Sequence, residues 1–99
     1  MTRILTPDAW VIISISGGSE PTKRKLLCGW HGGYAGDDRW RLSSRIAKVE
    51  QLPGILKIQT ESGSIYACHD ANHKMIPIMR TMLATFHVSS PDVTFDVVS

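Results

Sequence analysis

Cys28-x2-His31 and Cys68-His69-x3-His73 are the residues whose types point first to chemistry. Two cysteines and two histidines are a set that Zn²⁺ accepts. The spacing is not that of a zinc finger, because Cys28-x2-His31 is not a clean Cys-x2-Cys and Cys68 directly abuts the His69-x3-His73 pair. Cys68 and His69 are neighbours in a strand-like run, so they point to opposite faces and cannot both ligate one ion without distortion. The expectation is therefore two buried thiols and surface histidines, with no metal and no cofactor. His31, Asp37, Asp38, Ser43 and Ser44 include the types of a nucleophile, a base and an orienting group. Geometry makes such a triad, and no nucleophile-elbow motif fixes it here. The glycines of the stretch Cys28 to Leu42 match neither the Walker pattern nor the dinucleotide fingerprint. Asp37-Asp38 reads as a solvated turn. The chain is expected to have no enzymatic activity.

The cations carry more information than the nucleophiles. The formal net charge is only +2, so their placement matters more than their sum. Arg39, Arg41 and Arg45 recur at period two, opposite Trp40, Leu42, Ser44 and Ile46. Lys23 and Lys25 share one face of the preceding strand. Together they predict a basic sheet face that attracts phosphates or an acidic protein surface. A solvated face that deters edge pairing has the same composition. Trp30, His31 and Tyr34 are expected at the border of this face. An exposed aromatic residue beside arginines is the composition of a protein hot spot and of a base-stacking platform. The expected partner-binding set is thus Trp30, His31, Tyr34, Arg39, Arg41, Arg45, Lys23 and Lys25, with Trp40 in the core.

These residues need elements to hold them. Ala9–Ser16 is a near-continuous β-branched and aromatic run, as in a strand buried on both faces. Gly17-Gly18-Ser19-Glu20-Pro21 turns the chain into a second strand, Thr22–Trp30. A third and longest strand, Arg39–Gln51, changes parity between Ile46 and Val49, which predicts a bulge near Ala47-Lys48. Ile55–Thr60 and Ser64–His69 complete a meander, joined by Glu61-Ser62-Gly63. Met75, Ile76, Ile78, Met79, Met82, Leu83 and Phe86 then follow helical spacing, with the start near Ile76, Pro77 in the first turn, a span put at Met75–Phe86 and Ser89-Ser90-Pro91 as the breaker. Asp92–Val98 is a sixth strand. The expected fold is α+β: a strongly bent antiparallel sheet of five to six strands, with one amphipathic helix of the C-terminal half packed on it.

Trp40-Arg-Leu-Ser-Ser-Arg-Ile46, followed by Ser62-Gly-Ser-Ile-Tyr66, resembles a combination in small uncharacterised proteins of phages and other mobile elements. The resemblance covers about the middle third of the chain. It implies a stoichiometric inhibitor of host defence, of the kind that anti-CRISPR proteins exemplify. The Ser62-Gly63-Ser64 part is also explained by hairpin chemistry alone.

Composition sets the remaining bounds. Ninety-nine residues, 42% apolar and 20% charged, are expected to form one domain, 1–99, with an ordinary core. No apolar run reaches bilayer length, and Asp8 interrupts the only candidate leader, so a cytoplasmic location without membrane attachment is expected. The reading is a non-enzymatic binding protein that blocks a bacterial defence effector by occupying its functional surface. Its expected partner is a larger host protein or nucleoprotein complex. A small nucleic-acid-binding domain is the alternative, and a zinc-stabilised structural module the third reading.

Overall fold

A computed structural model describes residues 4–32 and 37–99. In chain order it contains strands β1 (Ile4–Leu5), β2 (Ala9–Gly17), β3 (Lys23–Trp30), β4 (Arg39–Leu52), β5 (Ile55–Thr60) and β6 (Ile65–His69). A short 3-10 turn (Asp70–Asn72), helix α1 (Pro77–Ser89) and strand β7 (Val93–Val97) complete it. The strands form one seven-stranded sheet in the order β1-β6-β5-β4-β3-β2-β7. The α+β class and the single helix are as the sequence predicts. Two details differ. The sheet is mixed, because β1 pairs parallel to β6, and it has seven strands rather than five to six. A two-residue strand is too short for any periodicity to reveal it.

β2 is buried on both faces, as its unbroken apolar run predicts. Ala9, Val11, Ile13 and Ile15 face one cluster, and Trp10 and Ile12 face another. The first cluster lies under α1, which adds Ile76 and Met79. The second unites Leu26 and Cys28 of β3 with Ile58 of β5 and Tyr66 and Cys68 of β6. Residues this far apart in the strand order share a cluster because the sheet folds over on itself. We call these sides the helix face and the inner face.

β4 makes the fold. Its first half, Arg39 to Arg45, pairs with β3, and its second half, Ile46 to Leu52, pairs with β5. Two register shifts flank the change of partner. One lies opposite Leu26, where Ser43 and Ser44 occupy the space of one residue. The other falls between Ile46 and Lys48, where the parity change predicts it. Each bulge bends the strand and adds twist. Ser43 replaces the ladder bond that its bulge removes: its Oγ accepts from the Leu26 N–H at 2.9 Å and donates to the Ser44 carbonyl at 2.7 Å.

α1 begins with Pro77 at its first turn, where the missing N–H costs nothing. It runs to Ser89 rather than stopping at Phe86. Nothing in His87 or Val88 breaks a helix, and the stop comes just before Pro91. The helix sits down on β3 at Gly29. A Cβ there would lie 2.8 Å from both Ile76 Cδ1 and Met79 Sδ, so any other residue requires these two side chains to shift.

Candidate functional site

The β3–β4 register places the arginines. Arg39 pairs with Trp30, Trp40 with Gly29, Arg41 with Cys28 and Leu42 with Leu27. Cys28 belongs to the inner face and Leu27 to the helix face. Arg39, Arg41 and Trp30 therefore share the inner face, and Trp40 and Leu42 point to the helix. After the bulge the parity reverses. Arg45 pairs with Lys25, whose other neighbour is Ile13 of the helix face. The three arginines do not form one stripe. The unpredicted bulge at Ser43-Ser44 sends Arg45 to the opposite side, and Ile46 to the inner face instead of the Leu42 side.

Two separate cationic clefts result. One, of about 280 Å³, is lined by Leu5, Trp30, Arg39, Trp40 and Arg41. Trp30 forms its fixed wall: the ring packs on the rim of the inner core, and its Nε1 donates to the Thr6 carbonyl at 3.0 Å. Trp40 is 37% exposed and meets Phe86 edge-on, with ring centroids 5.7 Å apart. It points inward as expected but stands at the rim of the core rather than within it. Arg41 lies beside Tyr66. Burial, the larger cause, and the neighbouring Cys28 push the Tyr66 phenol up, and the Arg41 guanidinium opposes them. Among the described residues, neither Arg39 nor Arg41 has a carboxylate partner.

The second cleft is lined by Glu20, Pro21, Lys23, Lys25, Ser44, Arg45 and Glu61. Its cations are largely answered. Lys23 Nζ lies 3.2 Å from Glu20, and Arg45 Nη2 lies 2.6 Å from Glu61. The hydrogen bond and charge of Glu61 hold the Arg45 guanidinium above its ordinary value. Alternation within β3 brings Lys23 and Lys25 together as predicted, but with Arg45 alone of the three arginines.

His31 has carboxylates for neighbours. Its backbone N–H donates to Asp8 at 2.9 Å, and its Nδ1 lies 3.9 Å from Asp38. Asp38 also accepts from the Gly32 N–H at 3.1 Å. Tyr34 lies outside the described residues. Cys28 and Cys68 are free thiols, both fully buried in the inner core. Burial pushes Cys68 up to about 12 and raises Cys28 further, so neither is a thiolate at neutral pH. His69 and His73 lie beyond that core: His73 stacks on Trp10 at 4.6 Å, and the His69 carbonyl accepts from the Trp10 Nε1 at 2.8 Å. Among the described residues, no group of three or more His, Cys, Asp or Glu is placed to hold a metal ion.

Sequence reasoning missed three residues of this region. Leu5 floors the first cleft from a strand too short to see. Gly29 reads only as a residue near the end of the second strand but seats the helix. Ser43 reads as a face residue but mends the bulge. Only the Ser43-Ser44 pair carries a legible signal, since small hydroxyl residues can replace a lost backbone bond.

Among the described residues, no helix is long and apolar enough to cross a membrane. No protein-family model, no curated protein and no solved structure matches this chain.

Proposed function

We propose that this chain is a non-enzymatic binding protein whose partner docks on the Trp30–Arg39–Trp40–Arg41 cleft. One observation carries the reading: these two arginines have no carboxylate partner among the described residues, whereas Lys23 and Arg45 do. An unanswered guanidinium beside a tryptophan held in one orientation supplies charge, a planar donor fork and rigid apolar area together. Such a site takes an acidic partner surface. In the leading version the partner belongs to a larger host defence complex, and the chain inhibits it by occupying its functional surface. That version rests on the resemblance at Trp40–Ile46 and Ser62–Tyr66. The Lys23–Lys25–Arg45 cleft is secondary, because two of its three cations are already paired, Lys23 with Glu20 and Arg45 with Glu61.

The second reading is a nucleic-acid partner, favoured by the pairing of Trp30 with two arginines as a stacking platform. Binding measured across a salt series separates the two. A protein partner is expected to survive nuclease treatment and to weaken gently with salt. A steep log-linear loss of affinity, with capture abolished by nuclease, would transfer the cleft to nucleic acid.

A further inference from the structure

Among the described residues the sheet has two edges, and they differ. β1 is two residues long and runs into Pro7. β7 is five residues long, Val-Thr-Phe-Asp-Val, with no lysine, proline or register shift within its pairing to β2. Edge strands usually carry such features, because a free row of N–H and C=O groups templates another strand.

The free groups of β7 can be assigned. Beyond its end, the N–H groups of Val98 and Ser99 both donate to the Ile12 carbonyl, and the Ile12 N–H donates to the Ser99 carbonyl. Ile12 is therefore a hydrogen-bonded position toward this strand. Bonded and non-bonded pairs alternate along an antiparallel ladder. Ser14–Asp96 and Ser16–Thr94 are then bonded pairs, and Ile13–Val97 and Ile15–Phe95 are not. The N–H and C=O groups of Phe95 and Val97 consequently point away from the sheet. The Val93 carbonyl points the same way, while its N–H donates to Ser90 at 3.1 Å.

We infer that β7 pairs antiparallel with β7 of a second copy, about a two-fold axis through Phe95. The occupant follows from the row itself. Laid antiparallel on its own sequence, Val93 meets Val97, Phe95 meets Phe95 and Thr94 meets Asp96. The single charge of the strand thus faces a hydroxyl, never itself. Phe95 exchanges N–H···O bonds with its counterpart, and each Val97 N–H reaches a Val93 carbonyl. Val97, 48% exposed in one chain, gains an apolar neighbour. Such an interface is isologous and closed, so it stops at a dimer. It lies at the opposite edge of β2 from the β3–β4 cleft, and its test is independent of that cleft.

The experiment is sedimentation equilibrium or light scattering across a concentration series. The wild type is expected to move from 11.0 kDa toward twice that mass as concentration rises. Thr94 and Asp96 form the closer, non-bonded type of pair across the two-fold axis. Thr94→Asp therefore sets carboxylate against carboxylate twice and is expected to weaken the dimer at least tenfold, with an unchanged circular-dichroism spectrum. Adding Asp96→Lys sets Asp against Lys twice and is expected to restore it. Should Thr94→Asp fail to fold, Val97→Pro serves instead: it removes an outward donor and leaves the β2 ladder whole. A wild type that stays monomeric at every concentration overturns the proposal, as does a dimer indifferent to Thr94→Asp. A charge swap that does not restore the dimer overturns it too.

Discussion

Ser43 shows how much one hydroxyl decides. It is buried, and it satisfies the Leu26 N–H that the bulge would otherwise strand. Ser43→Ala is expected to cost about 1–3 kcal/mol, the desolvation cost of an orphaned donor. Chemical denaturation checks this, and an unchanged midpoint would mean that water reaches Leu26. The thiols give a second prediction. Cys68 is held up to about 12, against an ordinary 9.0, and Cys28 is raised further, in both cases by burial first. The unfolded chain ionises these groups near the ordinary value and the folded chain does not. Their contribution is therefore complete below about pH 9 and is lost as pH rises through the folded values. Denaturation midpoints measured at about pH 7 and about pH 10.5 are expected to fall, and Cys68→Ala is expected to flatten the fall. At this scale the sequence was half legible. Period two correctly set Arg39 and Arg41 against Trp40 and Leu42. It failed at Arg45, because two serines that fill one register position look like any other two residues of an alternating run.

At the scale of elements, the legible features were those whose apolar residues repeat on one side. β2 declared itself by an unbroken run, and α1 by its spacing and by Pro77. β4 was harder, because its apolar residues serve two cores: Leu42 packs toward the helix and Ile46 toward the inner face. Alternation cannot distinguish two buried faces from one. The docking of α1 makes a further prediction. Gly29→Ala would place a methyl group within 2.8–2.9 Å of Ile76 and Met79, both buried. Overpacking of this kind is expected to cost about 1–3 kcal/mol. Thermal unfolding measures it, and no loss would mean that the Ile76 and Met79 side chains move aside without cost. Met79→Ala is expected to cost about 2–5 kcal/mol through the cavity it leaves.

At the scale of the molecule, a β sheet bent at β4 holds one core inside its fold and a second under its helix, with β2 between them. The bend also separates the cations into two clefts that a flat reading of the sequence merges. The account of function rests on that separation. Two charge-reversal pairs test it side by side, Arg39→Glu with Arg41→Glu and Lys23→Glu with Arg45→Glu, both assayed for partner capture from a bacterial lysate and for thermal stability. Exposed charges contribute little to folding, so both variants are expected to melt close to the wild type. The first pair is expected to lose partner capture tenfold or more, on the scale of interface hot spots, and the second to keep most of it. Equal losses, or a loss confined to the Lys23–Arg45 pair, would contradict the assignment of the Trp30–Arg39–Trp40–Arg41 cleft as the binding surface.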